Sequence, residues 1–269
     1  MHWEKLTCGD FARSLEKAGG VCLIPIGCLE KHGDHLPLGT DIAIGREVAR
    51  RASLIEEFLI FPYYPFGFVS EVRHMRGTVS LEATLQYQIL DQLCREIARS
   101  GCRKIVLGNA HGGNTYSLRA FAQSQLDRRC DYLVYVCDVW GLTAEQEQAL
   151  TAKHGVRPVN RHGDTVETAC MMAIAPESVH MERWKEGSGD SLNRLDSLEH
   201  HGIFTALNWY GSYPQQMAGT PEGASVAYGN DVLDFKAANL AGMIRQIKRT
   251  EIAERLLAEF YKTAENPGI

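Results

Sequence analysis

The chain alternates short, continuously apolar runs with longer segments whose apolar positions recur every three or four residues. Val21-Cys22-Leu23-Ile24-Pro25-Ile26, Lys104-Ile105-Val106-Leu107 and Tyr132-Leu133-Val134-Tyr135-Val136 are runs of the first kind and read as core strands. A further apolar run, Phe58-Leu59-Ile60-Phe61, ends at Pro62. The clearest helix spans Ala83 to Arg99, where Leu85, Ile89, Leu93 and Ile97 keep helical spacing and Gly101 stands where a C-cap belongs. Helices are also expected from about Gly9 to Lys17, from Asp41 to Ala52, from Tyr116 to Leu126 and from Thr165 to Ile174, the last stopped by Pro176. Leu233 to Tyr261 reads as one or two amphipathic helices of mixed charge. Strand, helix, strand at this spacing implies parallel pairing. The expected fold is therefore α/β, a single domain over residues 1–269 with a mostly parallel central sheet flanked by helices. Two stretches carry little periodicity: a loop up to Gly77, long enough to suspect function, and Glu182 to Gly229, expected to be mostly loop.

Composition narrows the function classes. A chain of 269 residues with 45% hydrophobic and 23% charged positions is an ordinary globular one, and at this size folding buries roughly 70–75% of the unfolded surface. Its 28 basic and 33 acidic residues give a net charge of −5 with no extended basic stripe, which argues against a nucleic-acid partner. The apolar runs fall far short of the roughly 20 residues that span a bilayer, so no membrane span is expected. The start, Met1-His2-Trp3-Glu4-Lys5-Leu6, lacks the basic and apolar regions of a secretory signal, and a cytoplasmic location is expected. The eight cysteines form no C-x-x-C pair and read as reduced thiols, several within apolar runs.

Three polar segments carry candidate chemistry. The first, Gly27-Cys28-Leu29-Glu30-Lys31-His32-Gly33-Asp34-His35-Leu36-Pro37-Leu38-Gly39-Thr40-Asp41, follows directly on the first strand. In extended backbone Glu30 and His32 share a face, and a turn after Gly33 can return Asp41 towards them. Carboxylates with an imidazole suit zinc, manganese or iron. Singly, each of these residues reads as a solvent-facing loop residue; as a set at the end of a buried strand they read as ligands. The second segment, Gly108-Asn109-Ala110-His111-Gly112-Gly113-Asn114, lies between a strand and a helix, where α/β sites assemble. Its paired glycines permit close backbone approach and positive φ, leaving N–H groups of Gly112 and Gly113 near the helix start for an anionic oxygen. A tight turn explains both glycines but not the flanking His and Asn. The third segment, Arg161-His162-Gly163-Asp164-Thr165-Val166-Glu167-Thr168, places Glu167 near a helix start, where on its own it reads as a capping or dipole-satisfying residue.

Together the segments resemble the creatininase family of metal-dependent hydrolases, whose pattern runs Glu-x-His-Gly-x-His-Leu-Pro with a later Asp, then Asn-x-His-Gly-Gly-Asn, then His-x-Gly-x-x-Glu-Thr. Arg73 to Thr78 and Gly219 to Ser225 match further family segments, and the likeness spans about Val21 to Gly229. The resemblance implies two divalent metal ions, zinc first with manganese or iron as alternatives. It places Glu30 and His111 on one ion, His32 on the other, Asp41 bridging and Glu167 completing the shell. Creatininase itself has a ligating Glu where this chain has Gly113, and Glu167 is the obvious substitute. Around His162 the chain reads His-Gly-Asp where the family more often has His-Ala-Gly. Both departures point to a paralogue with a substrate other than creatinine. The resemblance also implies a homo-oligomer, the family forming hexamers built as trimers of dimers.

The expected function is hydrolysis of a carbon–nitrogen amide bond in a small cyclic or formylated molecule by a metal-activated water. His162 is expected to shuttle the proton, Glu167 to act beside it, and the N–H groups of Gly112 and Gly113 to hold the oxyanion. Related activities on the same centre are a peptidase of cofactor maturation and a hydrolase that opens a carbon–carbon bond in a cyclic ketone or sugar-derived ring. A non-enzymatic metal-binding assembly protein is a different class, disfavoured because structural zinc sites are usually filled by Cys and His. A serine or cysteine hydrolase lacks its G-x-S-x-G elbow or paired histidine.

Overall fold

The structure, a computed structural model, describes residues 1–159, 161–265 and 267–268. Its strands are β1 (Val21–Ile26), β2 (Leu59–Ile60), β3 (Lys104–Asn109) and β4 (Leu133–Asp138). They form one sheet in the order β2-β1-β3-β4, parallel at every pairing. Every position of β1 and β3 is buried, as expected of parallel strands covered on both faces. The helices are α1 (Cys8–Lys17), α2 (Thr40–Ala52), α3 (Ala83–Arg99), α4 (Asn114–Ser124), α5 (Ala144–His154), α6 (Thr165–Ile174), α7 (Asp196–Glu199), α8 (Asn208–Ser212), α9 (Val226–Arg249) and α10 (Ile252–Ala264).

The period of two in β1 and β3 divides the core into two layers. Cys22, Ile24, Ile26, Ile105 and Leu107 face Leu90 and Ile97 of α3 and Leu118 and Phe121 of α4. Val21, Leu23 and Val106 face the opposite way, onto Ile44 and Val48 of α2, Val166 and Ala169 of α6 and Val232 and Leu240 of α9. The expected α/β class with a parallel sheet flanked by helices is the fold observed. All eight cysteines are free. No helix among the described residues is long and apolar enough to cross a membrane.

Several elements differ from the sequence reading, each for a local reason. The run at Phe58 to Phe61 gives a strand of only Leu59–Ile60. Gly108 and Asn109 extend β3 because they pair with Pro25 and Ile26 on one side and Cys137 and Asp138 on the other. Residues 226–229 are helical rather than loop, because Ser225 caps α9 by accepting from the Tyr228 N–H. α5 has no apolar stripe, burying only Leu150. Its signals are the capping box between Thr143 and Gln146 and the left-handed Gly155 at its end.

Because β1 connects to β2 on one side and β3 continues to β4 on the other, the chain reverses direction across the sheet between β1 and β3. That is where ligands bind in open α/β sheets. On the layer that holds α6, α9 crosses with no side chain between the backbones: a Cβ at Gly229 would fall on the carbonyl oxygen of Ala169. Gly229→Ala is therefore expected to cost about 1–3 kcal/mol through overpacking. Gly242, with open space around its Cβ position in the same helix, is expected to tolerate Ala with no loss, since Ala is the better helix former. Thermal unfolding of the two variants side by side tests the contrast.

Candidate active site

The site is built where three segments meet at the carboxyl ends of β1 and β3. After β1, a Cβ at Gly27 would lie 2.7 Å from the backbone nitrogen of Ile42, so the first turn of α2 rests directly on the strand end. This close approach returns Asp41 to Glu30 and His32, helped by the turn at Gly33, whose φ is +66°. His32 Nε2 lies 3.0 Å from Asp41 Oδ1 and 3.9 Å from Glu30 Oε1. After β3, Asn109 donates through Nδ2 to Asp138 Oδ1 at 2.8 Å and accepts the His111 N–H at 3.1 Å, which sets the His111 backbone. His111 Nδ1 then lies 2.8 Å from Glu30 Oε1 and 3.0 Å from Asp41 Oδ2.

α6 delivers the third segment. Asp164 is its N-cap and accepts from the N–H groups of Val166 and Glu167, while also holding the Arg161 N–H. Glu167 folds back so that the Gly163 N–H donates to its Oε2 at 2.6 Å, and that oxygen lies 3.6 Å from His32 Nε2. The His162 ring stacks on His32 with centroids 4.1 Å apart and donates from Nε2 to the Lys31 carbonyl at 2.8 Å. All the expected side chains, Glu30, His32, Asp41, His111, His162 and Glu167, are thus brought together. Three overlapping ligand groups result: Cys28, Glu30, Asp41 and His111; His32, Asp41 and Glu167; and Glu30, His32 and His162.

The electrostatics of this cluster call for positive charge. The far nitrogens of the two imidazoles face backbone carbonyls, His32 Nδ1 that of Glu30 at 3.3 Å and His111 Nε2 that of Phe68 at 3.0 Å. A carbonyl only accepts, so each far nitrogen carries the proton and each near nitrogen faces carboxylate oxygens. Burial works against charge on His32, yet Asp41, Glu167 and Glu30 outweigh it and raise the ring to about 10. Burial likewise opposes charge on His111, and Cys28, Glu30 and Asp41 drive it well above its usual value. Burial raises Glu167 to about 7 against the pull of His32. His162, buried and next to His32, is held down at about 4. Glu30 Oε1 is buried without an aligned hydrogen bond. The donor set fits a divalent cation in place of the protons that the raised imidazoles hold against these carboxylates.

Of the two freedoms expected of the glycine pair after His111, close backbone approach is used at Gly113 and positive φ at neither. Neither Gly112 nor Gly113 takes positive φ, and Gly113 sits at −61°. Gly113 is needed for close approach instead: its Cβ would stand 2.5 Å from His111 Nε2 and from the Phe68 carbonyl oxygen. Gly112 has open space around it. Both line a cleft of about 1000 Å³ together with Glu30, Asp41, His111, His162 and Glu167.

The cleft walls come from the two stretches without periodicity. Ser70, Glu71 and His74 from the first stretch and Phe204, Leu207, Trp209, Tyr210 and Tyr213 from the second line the cleft together with Arg161. Trp209 stands edge-on to His162 at 5.4 Å. Glu71 had no sequence signal; its Oε1 is 2.8 Å from where a Gly113 Cβ would be, in the space opened by the absence of a side chain there. Arg161 precedes His162 in its motif and donates to the Tyr213 hydroxyl at 3.1 Å. His35 bonds Thr168 Oγ1 at 2.9 Å and so ties the first segment to α6. His74 bonds the Pro214 carbonyl at 2.9 Å and joins the two walls.

Fold and site together define an α/β protein with a carboxylate–histidine cluster, a candidate metal centre, at a switch point of its sheet. The Creatininase family profile, described as creatinine amidohydrolase, matches residues 4–244. The chain belongs to that family. Creatinine amidohydrolase of Pseudomonas putida is 26% identical over 194 residues, 66% of this chain and 74% of that protein. The mycofactocin precursor peptide peptidase of Mycobacterium tuberculosis is 28% identical over 240 residues, 84% of each chain. A zinc–zinc form of a creatininase variant shares the fold with a TM-score of 0.71 at 21% identity, covering 93% of this chain and 98% of that one. Such identities mark a paralogue within a hydrolase family, as the departures at Gly113 and around His162 implied.

Asp164 holds α6, and through it Glu167, by three backbone N–H groups. Asp164→Ala is expected to lower unfolding stability by about 1–2 kcal/mol, with Asp164→Asn losing less because its side-chain oxygen still accepts. Denaturant unfolding at neutral pH measures both.

Proposed function

We propose that this protein is a metal-dependent amidohydrolase that cleaves a carbon–nitrogen amide bond in a small cyclic or formylated molecule. The observation that carries the reading is the division of Asp41: one carboxylate oxygen faces His32 at 3.0 Å and the other faces His111 at 3.0 Å. A carboxylate so placed is shared between two donor sets, Glu30 and His111 on one side and His32 and Glu167 on the other, which suits two divalent ions. Carboxylate and imidazole donors accept zinc, and equally manganese or iron.

Bound divalent ions would supply a water acidic enough to attack near neutral pH and would polarise the substrate carbonyl. The chain's own residues do the rest. His162, with Nε2 fixed by the Lys31 carbonyl, offers Nδ1 to take a proton and return it to the leaving nitrogen. The N–H groups of Gly112 and Gly113, at the start of α4, donate to the oxygen that gains charge at the tetrahedral carbon. Trp209, beside His162, supplies a flat wall for a ring or a planar amide.

A second reading is favoured by the size and lining of the cleft. About 1000 Å³ is at the upper end for drug-sized ligands. Tyr116, Phe204 and Leu207 at its rim are 81%, 80% and 61% exposed. The same centre would then cut an amide bond in a peptide-derived molecule, with the rim holding its apolar side chains.

Protein purified without chelators is expected to carry two divalent ions per chain, and Glu167→Ala to lose metal, by elemental analysis. A parent that holds no metal even after reconstitution would remove the reading. His162→Ala is expected to keep its metal while turnover of formamides and cyclic amides drops about 10²–10⁴-fold, the usual contribution of a general acid–base group. Loss of metal in that variant would show that His162 is a ligand instead.

A further inference from the structure

Cys28 is the one thiol inside the cluster of ligands, and neither the proposed ligand set nor the proton path uses it. It follows Gly27 at the end of β1 and is fully buried. Val69 and Val72 pack against it. Its Sγ lies 3.2 Å from Asp41 Oδ2, the same oxygen that stands 3.0 Å from His111 Nδ1. Donor atoms of Cys28, Glu30, Asp41 and His111 all lie within 4.8 Å of one another, and all four residues are buried. Glu30 Oε1, in the same group, is buried with no aligned hydrogen bond, and its near neighbour is His111 Nδ1 at 2.8 Å.

Glu30, Asp41 and His111 offer three donors, and zinc in proteins most often takes four in a tetrahedron. Among the described residues, the Cys28 thiol completes the one candidate group of four donors. We propose that Cys28 is a metal ligand, its Sγ joining Glu30, Asp41 and His111 on one of the two ions and giving that position a preference for zinc over manganese. On coordination the S–H bond breaks, its proton passes to solvent, and the sulfur electron pair forms the bond to the metal. A soft thiolate donor selects zinc, whereas manganese prefers oxygen donors. The two ions are then unlike: one is sulfur-bound and well filled by protein, and the other, at His32 and Glu167, has the more open shell. The competing role for Cys28 is a hydrogen bond from Sγ–H to Asp41 that merely orients the carboxylate.

The inference rests on the metal-centre reading, and one experiment separates the two. Full-length protein is stripped with a chelator and titrated with cobalt(II), while absorption is followed from the near ultraviolet into the visible. A thiolate ligand gives a near-ultraviolet sulfur-to-cobalt charge-transfer band, expected in the parent and absent from Cys28→Ser and Cys28→Ala. The visible ligand-field bands should persist in both variants. Competition between ions is expected to show zinc affinity falling at least about tenfold in Cys28→Ser with manganese affinity little changed; loss of an orienting hydrogen bond alone would weaken both ions by about 10–100-fold and would overturn the inference. Cobalt bound to the parent with ligand-field bands but no sulfur band would overturn the inference and leave the metal centre standing. No cobalt bound at all would overturn both. Should neither variant fold, the parent spectrum decides alone, because no other cysteine among the described residues joins a candidate ligand group.

Discussion

The site depends on one buried carboxylate held in a position it would not choose in isolation. Asp41 is 3% exposed and faces two imidazoles, one from each of its oxygens. A carboxylate taken out of water this completely is costly unless positive charge or donors surround it. What keeps it there is the packing of α2. Ile44 and Val48 anchor that helix in the core. Gly27 allows its first turn onto the end of β1, and a Cβ at Gly45 would meet the Ala110 side chain at 2.7 Å. The first turn of a helix also favours a carboxylate electrostatically. The position of Asp41 is thus a consequence of apolar burial elsewhere in the same helix, transmitted by a rigid element.

The other donors are placed by comparable means, each from a different part of the sheet. His111 is oriented by Asn109, which is itself braced by Asp138 across the β3–β4 pair. Glu167 and His162 arrive with α6, which is fixed by its packing on α9 and by the bond between His35 and Thr168. Parallel strands end side by side, so loops far apart in sequence converge at one edge. The cost of gathering Glu30, Asp41 and Glu167 in one buried volume appears in the raised imidazoles of His32 and His111. The same demand for positive charge makes the cluster a candidate cation site.

The walls above this floor have a different character. They come from segments without regular periodicity, and their contacts are mostly single hydrogen bonds and ring edges, such as His74 to Pro214 and Trp209 to His162. One fold hosts several functions through the sites built on it. This chain places Glu71 in the space left open at Gly113 and lines the same cleft with Phe204, Leu207 and Tyr210.

Much of the floor was legible in the sequence because its determinants are local. Continuous apolar runs mark β1, β3 and β4, helical spacing marks α3, and the polar motifs sit immediately after β1 and β3, where parallel strands place ligands. Glu30, His32, Asp41, His111, His162 and Glu167 could all be named from those motifs. Spacing alone did not reveal the pairing of each Asp41 oxygen with a different histidine, which only the family resemblance implied, since that depends on how closely α2 approaches Gly27. Nor did it show which of close approach and positive φ Gly113 serves, because the contact is with Phe68 and Glu71, some forty residues earlier in the chain. The place of Cys28 among the ligands, the convergence of the two cleft walls, and Glu71 itself were likewise settled only by tertiary packing. Local propensity and pattern decide which elements form, whereas distances between side chains on separate elements are decided by how those elements bury their apolar faces against one another.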